Sequence, residues 1–217
     1  MPENSNKLIL NANDRLGNNL RKIYNDNHNL VLNIIGGPGS GKTTLITSLI
    51  KNIGLQTAVI EADMAQDFDT QIIKTLNVPV EQINTVNSCH LNARQVAKVF
   101  RKNIQFRNAQ IIFIENVGNL ICPTEFFLGE HLQVIVFSVT DGDNKPLKYP
   151  VSFHKANLVI ITKLDLLPYV NFDLNLAWQN IKTLNPDAQI FNVSSVIQSG
   201  INELSQTLSK KYQEMYV

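Results

Sequence analysis

Short apolar runs alternate with amphipathic stretches along most of the chain. The runs fall at 30–35, 57–61, 111–114, 132–139, 158–162 and 189–193. Each has strand length, far short of the ~20 apolar residues a membrane helix requires. Between them apolar residues recur at helical spacing: Leu16, Leu20, Ile23 and Tyr24 in a leading helix over 14–27, Ala93, Val96, Ala97, Phe100 and Ile104 over 91–106, and a further helix over 174–184. Strands apolar on both faces, separated by amphipathic helices, predict an α/β fold with a mostly parallel sheet flanked by helices. The polar stretch 140–150, with Gly142 and two prolines, reads as a long loop. Residues 1–28 are expected to form a leading helix and N-terminal segment, and 29–217 a single domain.

Composition narrows the function classes. The 217 residues carry 19 Lys and Arg against 18 Asp and Glu, too balanced for a broad nucleic-acid footprint. The first residues lack a basic and an apolar region, so neither a secretory signal nor a membrane role is expected, and the cytoplasm is the predicted location. Two cysteines, Cys89 and Cys122, cannot build a disulfide framework and suit a reducing compartment. They can also serve a metal.

The strongest chemical signal is Gly36-Gly37-Pro38-Gly39-Ser40-Gly41-Lys42-Thr43, which fits G-x-x-x-x-G-K-S/T. It follows a predicted strand and precedes a helical pattern at Leu45, Leu49 and Ile50, the context a phosphate-binding loop requires. Gly37, Pro38, Gly39, Ser40, Gly41 and Thr44 would wrap the phosphates at a helix N-terminus, with backbone N–H groups from all of these but Pro38. Lys42 would reach the β- and γ-phosphates as the main catalytic group, and the Thr43 hydroxyl would ligate Mg2+. Asp63 and Glu115 stand at strand carboxyl ends, where open α/β sheets bind ligands, and are the predicted Mg2+ carboxylates. Gly118 offers an amide to a γ-phosphate. Asp67 is the candidate for orienting water, with Asp69 weaker.

Thr162-Lys163-Leu164-Asp165 resembles the guanine-reading N-K-x-D element of G proteins, with Thr in place of Asn and so without its supporting amide. Asp165 would accept from the ring N–H and amino group of guanine, a pattern adenine cannot supply. Lys163 would lie along the base, and Ser194-Ser195 would present a backbone amide to the guanine oxygen. GTP is therefore expected over ATP. An ATP-dependent small-molecule kinase would need an Arg-rich lid, and no Arg cluster is seen.

Cys89-His90 and Cys122 offer thiolate and imidazole, a donor set that suits Zn2+ or Ni2+. Three ligands do not complete a structural zinc tetrahedron. On residue types and spacing alone, a buried-thiol reading stands beside the metal reading.

Together these motifs resemble one family, the hydrogenase nickel-incorporation GTPases or HypB family, from about 11 to 201. The resemblance rests on Pro38-Gly39-Ser40-Gly41-Lys42-Thr43-Thr44-Leu45, Cys89-His90-Leu91, the run from Glu115-Asn116-Val117-Gly118 to Cys122-Pro123, Lys145-Pro146-Leu147-Lys148-Tyr149-Pro150, and Asp165-Leu166-Leu167-Pro168. It implies a SIMIBI-class P-loop GTPase with slow intrinsic turnover. It also implies a nucleotide-dependent homodimer that helps deliver nickel to nickel–iron hydrogenase, with a HypA-type nickel chaperone and the hydrogenase large-subunit precursor as partners. It assigns Cys89, His90 and Cys122 to a metal site near the dimer interface. The chain departs from the family pattern at Ala62 (usually Gly), Asn92 (usually Asp), Thr162 (usually Asn) and Ser195-Val196 (usually Ala-Lys). It also lacks the usual Arg after Asp69, an amino-terminal cysteine motif and a His-rich stretch. A urease-type nickel GTPase is disfavoured because its Cys-Pro-His is missing, and a metal-carrier module with negligible turnover is the other alternative.

Overall fold

The computed structural model describes residues 2–63, 73, 75–85 and 88–217, with the side chains of residues 2–6 and of Asp63 outside that description. Among these residues seven strands form one sheet: β1 (Leu30–Gly36), β2 (Thr57–Asp63), β3 (Val80–Asn84), β4 (Ile111–Gly118), β5 (Leu132–Ser138), β6 (Leu158–Thr162) and β7 (Gln189–Asn192). All pair in parallel, in the order β3-β2-β4-β1-β5-β6-β7. Connections therefore run outward in opposite directions on the two sides of β1. That reversal opens a crevice at the carboxyl ends of the central strands.

Nine helices accompany the sheet among the described residues: α1 (Pro2–Asp26), α2 (Lys42–Asn52), α3 (Ala93–Lys102), α4 (Ile104–Asn108), α5 (Cys122–Glu125), α6 (Lys145–Lys148), α7 (Pro150–Lys155), α8 (Leu174–Leu184) and α9 (Ile201–Tyr216). Alternation along each strand decides which helix covers which face. Leu30, Leu32 and Ile34 pack with Leu45, Ile46 and Leu49 of α2 and with Ile201, Leu204 and Leu208 of α9. Val31, Ile112 and Ile114 face the other way, onto Leu20 and Tyr24 of α1 and Val96 and Phe100 of α3. Ile135, Phe137, Val159 and Ile161 meet Phe153, Ala177 and Ile181 of α7 and α8. Each such side chain contributes ~1.5–3 kcal/mol by leaving water. No helix among the described residues is long and apolar enough to cross a membrane.

Three local expectations need correction, and two elements go beyond them. The leading helix begins at Pro2, not at residue 14; Leu8 and Ile9 in its first half are exposed, so no core-facing stripe marks them. The helix expected over 91–106 breaks at Asn103, whose backbone is extended and whose side chain accepts from the Gln105 N–H at 3.0 Å, capping α4. The loop expected over 140–150 contains α6. β3, an edge strand with exposed and half-buried positions, and α9 were not anticipated from the apolar pattern.

His131, at the foot of β5, is half-buried against α1 and α9. Its Nδ1 accepts the Val31 N–H at 3.1 Å and its Nε2 lies 2.9 Å from Asn25 Oδ1, which fits a neutral ring with the proton on Nε2. Burial, helped by Arg21, lowers its pKa from 6.5 to about 4. A folded pKa below the unfolded one means that this contribution to stability is complete above pH 6.5 and is lost as pH falls toward 4. The neighbouring Glu130 carboxyl is raised by burial, so its contribution runs the other way, present at low pH and lost as pH rises. Arg21, Tyr24 and Tyr216 keep one protonation state across this window. His131→Asn, which retains an acceptor and a donor, is expected to flatten the decline in thermal midpoint between pH 6.5 and 4. Parallel native and variant curves would refute this assignment.

Candidate nucleotide and metal site

The phosphate loop leaves β1 at Gly36 and enters α2 at Lys42. Gly41 precedes α2 with φ +91°, a left-handed conformation open to glycine at little cost, and no side chain caps the helix there. The first N–H groups of α2 thus face the crevice with the positive end of the helix dipole. Lys42, largely buried, donates to the carbonyls of Gly36 and Gly37, both at 3.3 Å. Ser40 is buried, and its N–H donates to Gly37 O at 3.2 Å, so Gly37 and Ser40 shape the loop. Pro38, Gly39, Gly41, Lys42, Thr43 and Thr44 line a cleft of about 490 Å³ that also reaches Glu115, Gly118 and Lys163. Gly118 packs directly on the loop: a Cβ there would sit 3.0 Å from Pro38 Cγ and 3.2 Å from Pro38 N.

The Thr43 hydroxyl donates to Glu115 Oε1 at 2.8 Å, uniting two predicted Mg2+ ligands. Glu61 joins them. It pairs in register with Glu115 across β2 and β4, is 2% exposed, and lines the same cleft. Sequence reading passed over Glu61 in favour of Asp63; the available signal was an acid inside an otherwise apolar strand. Two buried carboxylates and a hydroxyl form an all-oxygen donor set that suits Mg2+. The backbone of Asp63 ends β2, but its side chain, and all of Asp67 and Asp69, lie outside the described residues.

The residues expected to read the base lie beyond β6. Lys163 adopts φ +61° and opens a short 3-10 turn containing Asp165. The buried Ser194 hydroxyl donates to Asp165 Oδ1, fixing the carboxylate expected to read guanine. The Ser194 N–H is engaged with Ser199 O at 3.0 Å. That amide is thus committed within the fold, and Ser195 beside it is half-buried. Thr162 also behaves differently from expectation. Its hydroxyl donates to Ser40 O at 2.6 Å, so the shorter side chain supplies its own tie to the phosphate loop.

The second centre lies after β3 and β4. The ligand atoms of Cys89, His90 and Cys122 lie within 4.8 Å of one another, with Cys89 Sγ 3.6 Å from His90 Nδ1. Cys122 opens α5 with Pro123 in its first turn. The His90 ring stacks on Phe126, centroids 3.6 Å apart at 21°. A hydrogen bond with Cys122, aided by burial, raises the Cys89 pKa. Burial lowers that of His90, with Glu125 opposing. The lowered His90 pKa favours the neutral imidazole, the form that ligates metal. His28 and His154 lie elsewhere.

A Walker loop on a seven-stranded parallel sheet defines a P-loop NTPase of the SIMIBI class; the signal recognition particle receptor FtsY of Elizabethkingia anophelis shares this fold at TM-score 0.56 and 16% identity. Residues 30–192 match the family described as CobW/HypB/UreG, nucleotide-binding domain. The chain belongs to the HypB group of that family. It is 42% identical over 197 residues to the hydrogenase maturation factor HypB of Azotobacter chroococcum, covering 90% of this chain and 64% of that protein. It is 35% identical to the probable hydrogenase maturation factor HypB of Methanocaldococcus jannaschii, over 96% of this chain and 95% of that one. The structure of HypB from Helicobacter pylori in complex with nickel superposes with TM-score 0.90 at 32% identity, over 94% of this chain and 97% of that one. The chain thus spans slightly less than two thirds of the Azotobacter relative and nearly all of the other two.

Proposed function

We propose that the protein is a GTP-hydrolysing metallochaperone that carries nickel for hydrogenase maturation and changes its hold on the metal with nucleotide state. One observation carries the reading: a single segment from Glu115 to Cys122 touches the phosphate loop at one end and completes the thiolate–imidazole set at the other. Mg2+ held by Thr43, Glu115 and Glu61, with Asp63 a further carboxylate, would neutralise charge on the β- and γ-phosphates. The chain's own part in hydrolysis is positioning and electrostatics from Lys42 and the N-terminus of α2, with Asp67 proposed to orient water. Nickel is the cargo; zinc, which shares the donor preference, is the competing ion. In this reading the protein works in the cytoplasm as a nucleotide-dependent homodimer, with a HypA-type nickel chaperone and the hydrogenase large-subunit precursor as partners. Since one relative is named a hydrogenase/urease maturation factor, a urease precursor is a second target to assay.

Calorimetry with Mg2+ tests the nucleotide half. GTP is expected to bind at least tenfold more tightly than ATP, because Asp165, held by Ser194, matches donors found on guanine alone. Asp165→Ala should remove that preference, and equal affinities in the native protein would overturn it. Phosphate release separates an enzyme from a carrier whose nucleotide merely sets the dimer.

A further inference from the structure

Successive residues of β4 point to opposite faces of the sheet. Glu115 faces α2 and meets the Thr43 hydroxyl, whereas the Asn116 amide bonds to Leu91 and Asn33 while the residue also borders the cleft. Asn116 is 1% exposed, and its amide makes three hydrogen bonds through its two ends. Its Oδ1 accepts the N–H of Leu91 at 3.1 Å and that of Val117 at 3.0 Å, and its Nδ2 donates to Asn33 Oδ1 at 3.1 Å. Asn33 in turn donates to the buried Glu130 at 3.2 Å. Leu91 directly follows Cys89-His90 and is itself fully buried. The Asn116 side chain therefore holds the end of the loop bearing two metal ligands, while its own backbone continues through Gly118 toward the third, Cys122. On its other side it is bonded covalently to Glu115, whose carboxylate meets Thr43 in the cleft.

We propose that Asn116 is the positioning residue that sets Cys89 and His90 in register with Cys122 and transmits displacement of Glu115 to that set. A shift of β4 at Glu115, driven by what occupies the phosphate loop, moves the Asn116 amide with it. The Leu91 N–H follows, because an amide buried without its acceptor costs ~1–3 kcal/mol. A second polar anchor on the same loop serves as an internal control. Asn13 of α1 accepts the Ala93 N–H at 2.8 Å and donates to Phe127 O at 2.8 Å, but does not contact β4 through these bonds.

This inference rests on the proposed nucleotide-dependent hold on metal, and the test separates the two. Nickel would be titrated into the native 217-residue chain, Asn116→Ala and Asn13→Ala, each loaded with GDP or with a non-hydrolysable GTP analogue, following the thiolate-to-nickel charge-transfer absorbance. The native ratio of nickel dissociation constants between the two states is expected to exceed tenfold. Asn116→Ala should bring that ratio below about threefold and shift the charge-transfer band; because Asn116 also borders the nucleotide cleft, both nucleotides are held at saturation for each variant. Asn13→Ala, which loosens the same loop from the other side, should keep the native ratio. Asn116→Asp, which retains the acceptor for Leu91, should restore most of it and guards against a variant that fails to fold. An undiminished ratio in Asn116→Ala, or its equal loss in Asn13→Ala, overturns the role of Asn116. A native ratio near one overturns the coupled reading itself.

Discussion

Lys42→Ala is expected to lower GTP turnover by at least ~100-fold, the loss that follows removal of one preorganised donor from a developing charge. The side chain is 8% exposed and its ammonium lies over the carbonyls of Gly36 and Gly37. It is therefore held at the mouth of the loop and needs only a short movement to meet a β- or γ-phosphate. Those two bonds are long, so their loss should cost about 1 kcal/mol of stability and move the thermal midpoint by only ~2–4 °C in a domain of this size. Turnover measured at saturating GTP, beside a melting curve, checks both halves. A variant that hydrolyses GTP within tenfold of native would remove Lys42 from the chemistry.

The second large effect is at the metal. Cys122→Ala should weaken nickel binding by at least ~100-fold, since loss even of a group that merely orients a ligand costs 10–100-fold. Cys122 is half-buried at the start of α5, and its loss leaves Cys89 and His90 as adjacent residues on one loop. GTP affinity should stay within about threefold of native, because Cys122 does not line the nucleotide cleft. Calorimetry with each ligand decides it. Parallel loss of both affinities would mean that the variant damages the fold rather than the metal set.

Much of this architecture was legible in the amino-acid pattern. The central strands β1, β4, β5 and β6 are nearly continuous apolar runs because both faces are covered, and covered strands announce themselves. β3 did not, because an edge strand with Glu81 and Gln82 among its five residues lacks that run. The Walker loop was legible because each of its residues answers a steric or electrostatic demand made within a few residues. Glu61 and the Asn116 contacts were not, since they depend on register across β2 and β4 and on a hydrogen bond spanning distant segments. Thr162 shows the same limit. Its substitution for Asn reads as a lost amide until the fold places Ser40 O within 2.6 Å of its hydroxyl.

That Thr162–Ser40 bond gives the nucleotide pocket a property neither motif has separately. The turn proposed to read the base and the phosphate loop are latched at one buried point, so ordering either one would lower the entropy left to lose in the other. Guanosine and a polyphosphate would then behave as cooperative fragments of one ligand, each sharpening the seat of its counterpart. GTP, which joins them covalently, gains more than the sum of its halves.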